Sequence, residues 1–277
     1  MPDIFWVPPL AKALATALLV VCASVAAEAL GPLWGAVIAS LPVSAGPTYV
    51  FLAMQHGAGF LAASALGSFA ANAATGLFLI VYGRLAGRCG PWRSLGAAVL
   101  AWLAAILAMQ SIVWTPVTAS LLNLAVYGVG FARPGAGGGG GPAVTTRARR
   151  RWFDLPVRAA AVAGFVSLVV AVSTMLGPRA TGIAAVFPVS LISLIVIVRP
   201  RIGGRAAAVL AANALRSMLG FGVMLLVLHL ALRPWGITAA FMAALGVSCV
   251  WSAGLLVLGR RGRVASSSPG AAKEEVA

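Results

Sequence analysis

The feature that most constrains this fold is a stretch of 55 residues, from Ala29 to Gly83, without one aspartate, glutamate, lysine or arginine. A second such stretch covers 39 residues, from Ser94 to Ala132. Because about 20 apolar residues are enough to cross a bilayer as a helix, each stretch is long enough for two crossings. Charged residues make up only 9% of the chain, against about 25% in soluble domains. The sequence therefore predicts an integral membrane protein that contacts the lipid bilayer.

The membrane segments are predicted to be helices. Backbone groups in lipid must be paired inside the protein, which leaves helices or closed barrels. Barrel strands would alternate polar and apolar residues, and these segments do not. We expect an all-α protein with about nine transmembrane helices, at roughly 10–29, 33–54, 58–82, 94–112, 115–132, 157–176, 180–198, 206–231 and 237–258. An alternative for the first segment is a signal peptide cleaved near Ala27-Glu28-Ala29.

Arginine clusters predict the orientation. They follow the third, fifth, seventh and ninth predicted helices, so all of them fall on one side of the membrane: Arg84, Arg88 and Arg93; the arginines within 133–158; Arg199, Arg201 and Arg205; Arg260, Arg261 and Arg263. The positive-inside rule makes that side cytoplasmic. We expect a multi-pass protein of the cell (inner or plasma) membrane, with its N-terminus outside and its C-terminus in the cytoplasm. This placement also accounts for the net charge of +15 without a nucleic-acid partner.

An internal repeat is the most informative pattern. Gly31-Pro32 recurs 146 residues later as Gly177-Pro178, and Pro42 recurs as Pro188. Five helices separate each equivalent pair, so the halves would cross the membrane in opposite directions, as a 4+1+4 inverted-topology repeat. The predicted units are a first four-helix repeat (1–112), a connecting helix (113–132), a Gly/Arg-rich cytoplasmic linker (133–156), a second four-helix repeat (157–259) and a disordered cytoplasmic tail (260–277). Chance similarity in a chain rich in alanine and glycine is the alternative.

The two equivalent prolines are the first candidate site. Pro42 and Pro188 lie about ten residues into their predicted helices, where a proline removes one helical hydrogen bond and leaves a carbonyl free. Transporters built from inverted repeats bind substrates on such broken helices near the membrane midplane. Hydroxyl groups of Ser44, Thr48 and Ser190 would add ligands. The alternative is a pair of ordinary proline kinks with each serine bonded within its own helix.

Three polar residues inside or beside the membrane complete the candidates. Arg216, with Asn213 one turn earlier, could anchor an anionic substrate because a guanidinium suits carboxylate and phosphate groups. The alternative is an arginine that extends to the cytoplasmic interface. Glu28, at the end of the first helix, is a candidate for ion coupling, although an interfacial carboxylate is the commoner situation. Ala-Ala-Asn-Ala occurs around both Asn72 and Asn213, where helix packing is the favoured interpretation.

These features favour a small secondary transporter or permease for a small-molecule substrate, with a small anionic solute as one candidate. The alternative is a non-catalytic subunit or assembly factor of a membrane complex, and either could form a homo-oligomer or bind a membrane partner. We do not expect an enzyme, because five acidic residues and two histidines offer little for acid–base chemistry. Three cysteines without metal-ligand spacing predict no metal, and we expect no cofactor.

Overall fold

The computed structural model describes residues 45–132 and 154–266, together with residues 14, 15, 18 and 22. Residues 14, 15, 18 and 22 are helical, no described residue lies in a strand, and six helices occupy most of the rest of the described chain. They are α1 (Ala45–Ala53), α2 (Ala58–Leu85), α3 (Pro91–Met109), α4 (Pro116–Ala132), α5 (Asp154–Ala185) and α6 (Val189–Ser266). The predicted all-α class is thus confirmed for these residues.

Length and apolarity suit these helices to a membrane. Three helical stretches are long and apolar enough to cross it, namely α2, α3 and the stretch Pro156–Leu258, and α4 is a shorter apolar helix. A straight helix of the 103 residues in the third stretch would be about 155 Å long, roughly five times the thickness of a bilayer core. That stretch must therefore change direction several times.

Three glycines and one proline interrupt the long stretch. Gly177, Gly203 and Gly236 have φ of 72°, 79° and 77° with ψ near 170°, a conformation that only glycine adopts without strain. Residues 186–188 are also non-helical, between the end of α5 and the start of α6 at Val189. The helical segments are therefore 154–176, 178–185, 189–202, 204–235 and 237–266.

Helix starts follow local sequence signals. Pro91 and Pro116 each occupy the first turn of a helix, where the missing N–H is not needed. Thr115 precedes Pro116, and the hydroxyls of Thr115 and Thr118 accept hydrogen bonds from each other's backbone N–H groups. This reciprocal cap ends the turn after α3 and begins α4.

The second helix is the centre of the bundle. Nineteen of its 28 residues are buried, whereas only six of the 19 residues of α3 are. Leucines of α3 and α4 instead face outward, including Leu100, Leu107, Leu121 and Leu124. An exposed apolar surface of this kind is what a helix on the lipid-facing side of a membrane bundle requires.

Contacts along α2 give the direction of its neighbours. Segment 204–235 is antiparallel to it, because Ala62 contacts His229, Asn72 contacts Met218 and Gly83 contacts Ala208. Segment 178–185 is parallel to α2, since Ser64 bonds to Pro178 and Ser68 to Gly182. The fourth helix is also parallel, with Asn123 beside Phe69 and Gly130 beside Ile80.

Several predicted boundaries differ slightly from the observed ones. The fifth helix begins at Asp154, inside the segment predicted as a linker, and α6 extends to Ser266, so the first residues of the predicted tail are helical. Most of the first and second predicted helices, most of the linker and the end of the tail lie outside the described residues.

Candidate functional site

A row of polar side chains follows one face of α2. Ser64, Ser68, Asn72 and Thr75 are spaced four, four and three residues apart, which places them on the same face of a helix. All four are buried, with exposures of 0 to 3%. We call this row the polar seam. Because unpaired polar groups are costly in an apolar interior, each of these side chains is expected to bind across to another helix.

Three residues of the polar seam bind segment 178–185 and the break that follows it. Ser64 Oγ donates to the Pro178 carbonyl at 2.9 Å, and Ser68 Oγ donates to the Gly182 carbonyl at 2.6 Å. Thr75 Oγ1 approaches the Val186 carbonyl at 3.4 Å. Side-chain hydroxyls of α2 therefore satisfy backbone carbonyls that run up to the interruption of the helix.

The interruption at Pro188 divides one predicted helix into two. Phe187 N–H closes the last turn of α5 on Ala184 at 2.9 Å, and Ile192 N–H closes the first turn of α6 on Pro188 at 2.8 Å. The first turn of any helix also leaves N–H groups without intrahelical acceptors. Near this end, Ser190 Oγ is a buried atom without a hydrogen-bond partner in the described chain.

Aromatic side chains enclose the interruption. Trp102 of α3 lies edge-on to Phe187, with ring centroids 5.1 Å apart, and Phe165 of α5 lies 5.7 Å from the same ring. Trp102 also donates its indole N–H to Thr75 Oγ1 at 3.3 Å. The break is thus a polar position inside an apolar, aromatic surrounding, where a hydrogen bond to a ligand would face little competition from water.

Asn72 belongs to a separate polar contact. Its Nδ2 donates to Asn123 Oδ1 and to the Met218 carbonyl, both at 3.1 Å, which joins α2 to α4 and to segment 204–235. Asn123 in turn donates to the Phe69 carbonyl at 2.8 Å. Asn213 is exposed, so the asparagines of the two Ala-Ala-Asn-Ala sequences occupy different surroundings.

The predicted site residues fall into separate groups. Pro188 and Ser190 lie at the interruption, and Thr48 is fully buried in α1, where it makes a polar interaction of its own. Arg216 and Asn213 are exposed on segment 204–235, and Arg216 Nη1 donates to Asn213 Oδ1 at 3.3 Å. Glu28, Pro42 and Ser44 lie outside the described residues.

Two arginines outside the predicted site bind the ends of helices. Arg179 Nη2 donates to the carbonyls of Met109, Gln110 and Ile112, at 2.9, 2.9 and 2.6 Å, where α3 ends. Arg199 is only 6% exposed, and its guanidinium binds the carbonyls of Ala86 and Cys89, at 2.8 and 2.6 Å, where α2 ends. A cation at a helix C-terminus is favourable because unpaired carbonyls concentrate there.

The sequence contains a signal for the polar seam but none for the burial of Arg199. The spacing of the polar seam is visible in the sequence, but the partner of each hydroxyl is not. Arg199 carries no sequence signal that separates it from the neighbouring arginines of its cluster. Among the described residues, no group of three or more histidine, cysteine, aspartate or glutamate side chains could hold a metal ion.

Comparison of the chain with known protein families, with curated proteins and with solved structures finds no match. Its function therefore has to be inferred from its own geometry. The useful elements are the helix interrupted at Pro188, the hydroxyl of Ser190 and the polar seam beside them.

Proposed function

We propose that this chain is a small secondary transporter whose substrate binds at the interruption between α5 and α6. The observation that carries the proposal is the break at Pro188 beside the polar seam, with Ser190 Oγ buried and unpartnered in the described chain. A buried hydroxyl without a partner costs free energy, and a bound polar solute would supply the missing hydrogen bond. Broken helices of this kind form the substrate sites of many transporters.

An inverted repeat is part of the proposal, and the glycine breaks support it. Gly57 and Gly90 directly precede α2 and α3, and residues 146 positions later are Gly203 and Gly236, which directly precede segments 204–235 and 237–266. The predicted pair Gly31 and Gly177 has the same offset. Two pairs of observed helix starts at one offset, with a third pair predicted from the sequence, favour a common ancestral unit over chance similarity.

Contacts across the bundle support a two-fold relation between the halves. The same offset relates residues 72 and 218, and Asn72 binds Met218 directly. When the same offset is applied to the contact between Ala62 and His229, the equivalent residues are 208 and 83. Gly83 does face Ala208. Both contacts fit an axis that passes close to residues 72 and 218.

The two-fold axis predicts how deep in the membrane the proposed site lies. In an inverted repeat the two-fold axis lies in the membrane plane, so Asn72 and Met218 would lie near the midplane. Thr75 follows Asn72 by three residues, a rise of about 5 Å along a helix. Since Thr75 contacts the Val186 carbonyl, the interruption would lie within one helical turn of the midplane.

The substrate class follows from the groups at the interruption. The start of α6 presents the positive end of a helix dipole, and Ser190 adds a hydroxyl that can donate. These groups favour a small solute that carries a carboxylate or another anionic group. Arg216 is exposed and bound to Asn213, so in this proposal the helix N-terminus takes over the anion-binding role predicted for Arg216. Ion coupling through Glu28 stays a prediction.

Thermal unfolding of the purified protein with a panel of small anions, amino acids and sugars tests the proposal, because a ligand that binds the folded state raises Tm. A compound that stabilises the wild type should not stabilise Ser190→Ala. The matched control is Ser193→Ala, since Ser193 Oγ donates to the Ser190 carbonyl of its own helix. Uptake into proteoliposomes should show the same difference. Equal ligand responses of the two variants would count against the site.

A second candidate function is a non-catalytic subunit of a membrane complex. Arg216 and Asn213 are exposed only a few residues from Met218, which the proposed axis places near the midplane. An arginine at that depth costs about 2.5–3.5 kcal/mol unless a polar partner meets it, and a second membrane protein could provide one. Purification in a mild detergent distinguishes the candidates: a stoichiometric partner lost in Arg216→Ala would favour the subunit.

A further inference from the structure

The two parts of the interrupted helix are attached to the bundle very differently. Segment 178–185 packs backbone against backbone on α2, where Gly182 directly faces the Ser64 carbonyl and Gly67 faces Arg179. In segment 189–202, only Ile195 and Arg199 are buried. The first part is therefore held by its backbone along its length, whereas the second is held through side chains, with Val189, Leu191, Ile192 and Ile202 packed against the core while partly exposed.

The strongest of those contacts are at the far end of segment 189–202. Besides the carbonyls at the end of α2, Arg199 binds the hydroxyl of Ser94, and its guanidinium lies 5.8 Å from the centre of the Tyr82 ring. Arg201, on the same turn, forms a two-pronged ion pair with Asp154 at the start of α5. Two arginines thus hold one helix end to three other helices, α2, α3 and α5.

The attachment through Arg199 is of a kind that can be released. The acceptors of Arg199 are neutral carbonyls and a hydroxyl next to the exposed turn between α2 and α3. Water can satisfy both the guanidinium and those carbonyls once they separate, so the net free energy of each hydrogen bond is well below its strength in an apolar medium, although the charged donor makes it larger than that of a neutral pair. The buried arginine has no carboxylate among these partners that would be left uncompensated.

Both ends of the segment are interruptions of the helix. Residues 186–188 break the helix at one end, and Gly203, with φ of 79°, breaks it at the other. Because the helical hydrogen bonds are interrupted at both places, the segment can turn as a rigid body through changes at a few backbone dihedrals.

We infer that segment 189–202 is a gate, latched by Arg199, that opens the interruption at Pro188 toward the arginine-rich side of the membrane. The inference rests on the proposed transport function for its purpose, because alternating access requires one side of the site to open at a time. Its movement can be measured without any substrate. Segment 178–185 stays in place during this movement and keeps the opposite side closed.

Cysteine labelling in nanodiscs measures the movement. The three native cysteines, Cys22, Cys89 and Cys249, are first replaced by serine. One reporter is Ile195→Cys on the gate, and its matched control is Ala185→Cys on the fixed part; Ile195 and Ala185 are 4% and 1% exposed. Each is combined with Arg199→Lys, which keeps the charge but lacks the planar fork that reaches several carbonyls.

We expect Arg199→Lys to raise the rate of maleimide labelling at Ile195→Cys at least tenfold and to leave Ala185→Cys unchanged. Arg93 is an exposed arginine on the same side of the membrane as Arg199, so Arg93→Ala should change neither rate. If Arg199→Lys does not fold, Asp154→Asn provides the same comparison by weakening the second attachment. Equal acceleration at both reporters, or none at either, would overturn the gate.

Transport and gating can fail separately in this design. If the labelling responds at Ile195→Cys alone but no solute is taken up or bound, the gate stands and the carrier function does not. If a solute binds through Ser190 but the labelling is unaffected by the latch variants, the site stands and the gate is wrong.

Discussion

Gly182→Ala should separate segment 178–185 from α2 and destabilise the protein. A Cβ at residue 182 would lie 2.7 Å from the carbonyl carbon of Ser64 and 2.9 Å from its Cα, with the carbonyl oxygen closer still. Carbon atoms in contact lie about 3.5–4.0 Å apart, so the two backbones must move apart by about 0.8 Å or more. Neither backbone can avoid the clash by a change of rotamer.

The expected cost has two parts. Overpacking of a close helix contact costs about 1–3 kcal/mol. The separation also lengthens the hydrogen bonds from Ser64 to Pro178 and from Ser68 to Gly182, each worth about 0.5–1.5 kcal/mol. The sum is a loss of about 2–6 kcal/mol in the free energy of unfolding, a large part of the total stability of most proteins.

Reversible unfolding in mixed micelles provides the measurement, with Gly246→Ala as the control. Gly246 is also helical, but no atom lies within 4 Å of the position its Cβ would take. Alanine there removes only the conformational freedom of glycine and should be neutral or stabilising by up to about 1 kcal/mol. If Gly182→Ala and Gly246→Ala unfold with the same free energy, the close packing described for segment 178–185 is wrong.

Two further substitutions test the centre of the bundle and one of its turns. Asn123→Ala removes the hydrogen bonds to Asn72 and to the Phe69 carbonyl. Since each such bond inside a membrane contributes about 0.6 kcal/mol and at most about 1.7 kcal/mol, the same unfolding assay should show a loss of about 1–3 kcal/mol in the free energy of unfolding. An unchanged stability would contradict the contact. Gly236→Ala should cost about 1–3 kcal/mol from backbone strain alone, since φ is 77° and no atom lies near the added Cβ. A neutral effect would mean that the turn at Gly236 has another conformation.

Arg199 illustrates how one sequence pattern can serve two purposes. As a member of a basic cluster it contributes to the predicted orientation of the chain. Its low exposure and its carbonyl partners make it, in addition, the attachment point of segment 189–202. The positive-inside rule concerns the side of the membrane on which a charge stays, and says nothing about whether the charge is buried in protein there.

The sequence by itself determined the helical class and most of the helix boundaries. The predicted segments 58–82, 94–112 and 115–132 correspond to α2, α3 and α4 within a few residues. The turns at Gly177, Gly203 and Gly236 fall between later predicted segments. These features were accessible because hydropathy, charge and the positions of glycine and proline act locally, through transfer into lipid and through allowed backbone dihedrals.

Only part of the candidate site could be predicted. The sequence predicted the break at Pro188, with the hydroxyl of Ser190 two residues later as a candidate ligand. Thr75 and Trp102 come from helices more than 80 residues earlier in the chain, and no local pattern connects them with Pro188. Their contribution depends on the packing of α2 and α3 against the interruption.

The tertiary structure alone decided which polar residues are buried and what they bind. Asn72 and Asn213 lie in the same four-residue sequence, yet Asn72 is fully buried between three helices and Asn213 is exposed beside Arg216. Helix formation depends on a residue and its near neighbours, whereas burial depends on which distant helix packs against that face. A side chain's partners therefore follow from the packing of the whole bundle.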